Sequence, residues 1–166
     1  RYAEKEAMKK VQDKFGISIV LPKGMNRFKE EENFLWISNA SDDVRQNIVI
    51  YTYPYTSKET FTRENLLHKR DSVMLLWVPG PNPDSYMATE YRVDPPILNE
   101  IAINGTYAAE LRGMWRVQGD LMGGPFVNIT RLDEKNQRVV TVEAFIYAPT
   151  KNKRNAIRQV EALLHT

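Results

Sequence analysis

Residues 125–148 read PFVNITRLDEKNQRVVTVEAFIYA, and this stretch decides the fold. Apolar and polar side chains alternate through 125–132 and again through 138–148, the period of two that marks a strand with distinct faces. Asp133, Glu134, Lys135 and Asn136 supply turn chemistry between them. A turn that pairs Leu132 with Gln137 sets Ile129 against Val140 and Val127 against Val142. The same pairing gathers Asn128, Thr130, Thr141 and Glu143 on the other face. Both patterns agree with one antiparallel hairpin, because a slip of one residue would move every apolar side chain to the wrong face.

Working outward, residues 106–117 alternate in the same way and add a third strand. Strand-like segments at 97–103 and 86–93 are split by Pro95 and Pro96. Before them, Leu66, Arg70, Val73 and Trp77 step along one helical face, with Leu67, Met74 and Val78 beside them. Thr56 and Glu59 have the spacing of a capping box at the start of that helix, and Pro79 ends it. Residues 33–38 and 46–53 read as strands joined by a turn over 39–43. Residues 17–21 read as a short apolar strand closed by Pro22, and 23–32 as a polar connection. Ala7, Val11 and Phe15, with Met8, form the apolar face of a helix over 2–15 that Gly16 caps. Thr150 caps a closing helix whose buried stripe is Ile157, Val160 and Leu164. Helices at the start, middle and end, with consecutive strands between, predict one α+β domain over 1–166. Its antiparallel sheet is flanked by helices, as in an α/β/α sandwich.

Composition narrows the function. The chain has 166 residues, 42% hydrophobic and 27% charged, which suits a folded domain and excludes a disordered one. The longest purely apolar run, Val73 to Val78, is far short of the ~20 residues of a spanning helix. Lys plus Arg is 23 against 21 for Asp plus Glu, a balance that argues against nucleic acid as a partner. With no cysteine and only two histidines, neither a transition-metal site nor a cofactor is expected. A chain beginning at Arg1 without Met reads as a processed product or a piece of a longer protein.

Catalytic candidates are few. His68 falls in the long helix near Arg70 and Asp71, and His165 near the chain end. The run Glu30-Glu31-Glu32 reads as a solvated loop, since the spaced ligands and turn glycine of a calcium loop are missing. Glu143 interrupts an apolar strand and shares a face with Thr141, Phe145 and Tyr147. Glu110, Arg112 and Arg116 are expected on that face from the neighbouring strand. Cross-strand charge pairs explain such a face; a groove with a carboxylate acid or base is the alternative.

The binding candidates lie at one edge. Lys151, Lys153 and Arg154 crowd the start of the closing helix, where the helix dipole disfavours cations. Free N–H groups, the dipole and three cations would together attract an anion. The predicted register sets Gly123 and Gly124 opposite Ile146 and Phe145, near that helix start, and two glycines permit close backbone approach. A tight turn over 117–122 brings Trp115 alongside. Trp115, Gly123, Gly124, Lys151, Lys153 and Arg154 are therefore the expected ligand-binding residues, for an anionic sugar, a phosphorylated head group or a carboxylate.

Several strings resemble one family: NFLWIS, NIVIYTYPYT, KRDSVM, SYMATE, RGMW, MGGPF, VEAFIYAP and RQVEALLHT. Together they resemble the C-terminal half of a lipoprotein family of Bacteroidetes, domain-of-unknown-function family 4837, from about Phe15 to Thr166. The resemblance implies a cell-envelope parent, attached to the membrane only through a lipid anchor outside this sequence. It also implies an N-terminal half as a packing partner. The order of elements is similar to the PsbP-type fold, whose members mostly bind partners. Asp71-Ser72-Val73 matches a short O-glycan acceptor pattern of such envelope proteins. The N-glycan patterns at Asn104 and Asn128 carry no meaning in a bacterium.

Three functions follow as expectations. The first is a non-catalytic envelope domain that binds a protein partner or an anionic envelope ligand. The second is a hydrolase acting on an envelope polymer through Glu143. The third is a structural domain that packs on the N-terminal half of its parent.

Overall fold

In a computed structural model that describes residues 2–41, 43–147 and 158, the deciding hairpin is formed by β7 (Gly123–Asp133) and β8 (Arg138–Tyr147). Its register differs by two residues from the predicted one. Asp133 pairs with Arg138, Leu132 with Val139 and Ile129 with Val142. Gln137 explains the difference. It has φ of 49° and lies inside the turn, its N–H donating to Glu134 O at 3.3 Å, so Gln137 stays out of the ladder and the first pair is Asp133 with Arg138. A slip of two preserves the faces. Asn128 now sits directly opposite Glu143, and Thr130 opposite Thr141.

The other elements are α1 (Tyr2–Phe15), β1 (Arg27–Glu31), β2 (Phe34–Ser38), β3 (Arg45–Pro54), a 3₁₀ turn (Lys58–Phe61), α2 (Arg63–Trp77), β4 (Tyr86–Glu90), β5 (Ile97–Ile103) and β6 (Thr106–Gln118). All strands join one antiparallel sheet, in the order β1-β2-β3-β8-β7-β6. The outer edge of β6 is shared. β5 pairs with its first half and β4 with its second. Asn104 and Gly105, with φ of 51° and 78°, make the tight turn from β5 to β6, since both centres of such a turn need positive φ.

Each face of the sheet carries its own helix. On one face Ala7, Val11 and Phe15 of α1 pack on Ile37, Ile48, Ile50, Ile129 and Ile146. On the other, Leu66, Leu67 and Met74 of α2 pack on Val49, Tyr51, Leu111, Phe126 and Phe145. The central strands are covered twice, which is why β3 is buried without a break from Asn47 to Thr52. The result is the expected α+β architecture, an antiparallel sheet between helices.

Three local expectations change. Residues 17–21 are not a strand; Ile19 and Leu21 are buried in the α1-side core without a ladder partner. The expected polar connection over 23–32 contains β1, and Glu30 lies 3.4 Å from both Lys10 and Lys14 of α1 rather than in an open loop. An edge strand is allowed such charge, which blunts its free side, so its composition hid it. The helix starts later than the Thr56–Glu59 spacing suggested. Thr62 is the N-cap of α2, its Oγ1 accepting the Asn65 N–H at 3.3 Å. The predicted strand over 86–93 ends at Glu90. The closing helix expected after Thr150 lies outside the described residues.

Candidate functional site

Two constellations occupy the α2 face, one sealed and one open. The sealed one centres on Arg70, a cation within the apolar stripe of α2, and Glu143, an anion within the apolar run of β8. Both are fully buried. Arg70 grips the carboxylate with two prongs, Nε to Oε1 at 2.6 Å and Nη2 to Oε2 at 3.0 Å. Its Nη1 donates to Thr89 Oγ1 at 2.8 Å, and its Cζ lies 3.9 Å from the Phe126 ring centroid. Asn128 Nδ2 donates to Glu143 Oε1 at 3.1 Å. The Thr89 hydroxyl in turn donates to Asp71 Oδ1 at 2.6 Å, and the Tyr91 hydroxyl donates to Asp71 Oδ2.

The electrostatics match this closure. Burial alone would lower the pKa of Arg70, but the charge and hydrogen bonds of Glu143 outweigh it and the net shift is upward. Burial pushes the Tyr51 hydroxyl up, and Glu143 adds to the push. Burial pushes Tyr53 up to about 12. No buried side-chain polar atom among the described residues lacks a partner. Bidentate geometry and complete pairing are the conditions under which a buried ion pair is tolerated. A carboxylate so enclosed has no opening toward a substrate.

Glu110, Arg112 and Arg116 do not share this face. In β6 they alternate with Ala109, Leu111 and Trp115, and the latter three are the residues that pack under α2. Glu110 opposes Ile129, a residue of the α1-side core, and its carboxylate receives Arg112 Nε at 2.8 Å. The two-residue period puts the charges of β6 on the opposite side from Glu143. His68 is exposed on α2.

The open constellation lies where α2 ends. Trp36, Trp115, Phe145 and Tyr147 wall a cavity of about 330 Å³, closed on one side by Val78, Pro79, Gly80 and Pro81. The rings pack on one another. Trp115 lies edge-on to Phe145 with centroids 5.7 Å apart, and Trp36 is tilted against Phe145 at 6.2 Å. Arg45 and Asn47 supply the polar lining from β3. Asn47 is locked, its Oδ1 accepting Trp36 Nε1 at 3.0 Å and its Nδ2 donating to Phe145 O at 3.4 Å. Arg45 is the one charged side chain among the described residues that line the cavity. Its Nε donates to Ser41 O at 3.4 Å.

The expected binding residues meet this cavity in part. The turn after β6 is as tight as expected, Val117 N–H donating to Met122 O at 2.9 Å, and it sets Trp115 against Gly124. Trp115 lines the cavity, and its Nε1 donates to Ile146 O at 3.1 Å across β7. That crossing needs a bare backbone. A Cβ on Gly124 would lie 2.2 Å from Ile146 O and 2.9 Å from Trp115 Nε1, and one on Gly123 would lie 2.9 Å from Trp115 O. The close approach that these glycines allow is made by the chain itself. Lys151, Lys153 and Arg154 lie outside the described residues.

Against models of protein families, residues 4–166 match a domain of unknown function, DUF4837. The chain belongs to the DUF4837 family. No curated protein matches it. Among the described residues of this DUF4837 domain, no cluster of His, Asp or Glu could hold a metal ion, and no helix is long and apolar enough to cross a membrane.

Sequence reading of the DUF4837 domain did not single out Trp36, Arg45 or Asn47 as site residues. It saw Arg70 and Glu143 separately. One signal was present. A cation within an apolar helical stripe and an anion within an apolar strand are each costly to bury alone, and that cost points to pairing.

Proposed function

We propose that this DUF4837 domain is a non-catalytic binding module of a lipid-anchored protein of the Bacteroidetes cell envelope. Its aromatic cavity takes an anionic envelope ligand that presents a ring or other apolar face. The observation that carries this reading is the cavity lining: four aromatic side chains, one guanidinium and no carboxylate among the described residues. Pockets of this size, mostly apolar with a few placed polar groups, are the usual form of small-molecule sites. The envelope location and the likeness to the PsbP-type fold rest on the family strings and on the layering of helices about an antiparallel sheet.

Thermal unfolding against anionic sugars, peptidoglycan fragments, phospholipid head groups and inorganic phosphate tests the proposal. A ligand at 100 times its Kd adds about 2.7 kcal/mol. For a domain of this size that raises Tm by roughly 5–10 °C. A selective rise that Arg45→Gln and Trp36→Leu each remove supports the site. A rise that survives both variants places the ligand elsewhere, and no rise with any compound favours a protein partner instead.

A further inference from the structure

At the other end of α2 a second cleft has the opposite character. It is open, about 900 Å³, and lies between the 3₁₀ turn, the β5–β6 turn and the β7–β8 turn. Three rings from three segments meet there. Phe61 stands edge-on to Tyr107 with centroids 5.6 Å apart, and Tyr55 is tilted against Phe61 at 6.3 Å. Phe61 packs in part against the α2-side core, whereas Tyr55 and Tyr107 lie outside it. Tyr107 is 43% exposed, and Tyr55 and Phe61 are half-buried. Three carboxylates line the same cleft, Glu100, Asp133 and Glu134. Asp133 is engaged by Arg138 and Asn136. The side chains of Glu100 and Glu134 make no hydrogen bond or ion pair among the described residues. Glu100 pairs with Ala109 and Ala102 with Tyr107, so Glu100 and Tyr107 share one face of the β5–β6 pair as diagonal neighbours, and burial, then the charge on Glu100, push the Tyr107 hydroxyl up.

We infer that this cleft is a recognition site for an organic cation, an alkylammonium or guanidinium group held by the faces of Phe61 and Tyr107 and the charge of Glu100. Aromatic faces carry negative potential and attract cations within about 6 Å of the ring centroid. A nearby carboxylate adds Coulomb attraction of the same sign. Among the described residues the one opposing charge in the lining is Lys58, which competes with a cation from outside and sets a limit on affinity. The positive end of α2 also opens nearby, but it meets Glu64 in its own first turn and the Thr62 cap. Tyr107 and Trp115 are eight residues apart on β6, roughly 26 Å along a strand, so the site is independent of the aromatic cavity.

Titration followed by NMR of the Phe61 and Tyr107 ring protons tests the inference. The probes are tetramethylammonium, butylammonium, and the blocked amino acids N-acetyl-lysine amide and N-acetyl-arginine amide. A neutral isostere, 3,3-dimethylbutanol, and inorganic phosphate serve as controls. The cations shift these resonances at millimolar concentration and the controls do not. Preference for the simple amines points to a free amine as the ligand, and preference for the blocked amino acids to a side chain of a partner. Phe61→Leu weakens binding by about 2–5-fold, the loss expected of one exposed cation–aromatic contact. Glu100→Gln, on the surface and harmless to folding, weakens it as well, while Lys58→Gln strengthens it. Equal response to the alcohol, response to phosphate, or indifference to both charge variants overturns the inference.

Discussion

Arg70 and Glu143 stand 73 residues apart in sequence and form a two-pronged ion pair with no exposure to solvent. The pair clamps α2 to the centre of the sheet. Removing one member strands the other as an unpaired buried charge, a loss of about 3–5 kcal/mol. Removing both relieves that charge. Urea denaturation of Glu143→Leu should show the full loss, and Arg70→Met with Glu143→Leu a smaller loss than either single change. Additive losses would mean that the two groups do not depend on each other.

The position of the helix cap gives a second test. Thr62 satisfies a free N–H at the start of α2, and Thr62→Ala should cost about 0.5–2 kcal/mol. Thr56, the residue with capping-box spacing, is exposed and precedes the 3₁₀ turn. Thr56→Ala should stay within about 0.5 kcal/mol of the parent. Equilibrium unfolding of the two variants side by side distinguishes them, and a reversed order would relocate the helix start.

Gly124 tests the wall of the aromatic cavity. Its φ is not positive, so the need for glycine is one of space. Gly124→Ala forces a Cβ onto Ile146 O and the Trp115 indole, and overpacking of this kind costs about 1–3 kcal/mol. Trp115 fluorescence should shift as its hydrogen bond to Ile146 O breaks. Gly24→Ser provides a contrast. Gly24 has nothing within 4 Å of the added Cβ but a φ of 92°, so that change should destabilise through the backbone and leave the Trp115 signal unmoved.

Asp133 predicts how stability falls in acid. Its hydrogen bonds from Asn136, and then from Arg138, hold its pKa below the ordinary 3.8. Lys14, and then Lys10, lower Glu30 from 4.5. A depressed folded pKa means that the unfolded chain binds more protons near pH 4. The stabilisation is therefore whole above the ordinary values and is lost as pH falls through the folded ones. Asp133→Asn should lower stability at pH 7 by about 0.2–1 kcal/mol and flatten the acid limb of the stability profile below pH ~4. Arg138 also donates to Phe15 O at the end of α1, so amide exchange in the last turn of α1 should quicken. An acid limb of unchanged slope would show that Asp133 titrates alike folded and unfolded.

Local physics made part of this protein legible. Ala7, Val11 and Phe15 revealed α1 because a helix repeats its face every three to four residues and Gly16, at φ of 69°, can end it. The faces of β7 and β8 were correct although their register was not, because period two survives a slip of two. The role of Asn104 and Gly105 as a hairpin turn was overlooked, though the dipeptide itself is the signal.

The chain by itself determined the elements whose periodicity repeats over many residues, the antiparallel sheet and the apolar faces of its two described helices. Tertiary structure decided what such patterns do not contain. Charged β1 became a strand because β2 offered it an edge, and residues 17–21 did not become one because no strand lay beside them. Arg70 found Glu143, and Trp36 joined Trp115 and Tyr147 around one cavity. Periodicity reports on neighbours a few residues away, whereas these pairings depend on which distant surfaces the packing of α2 on the sheet brings together.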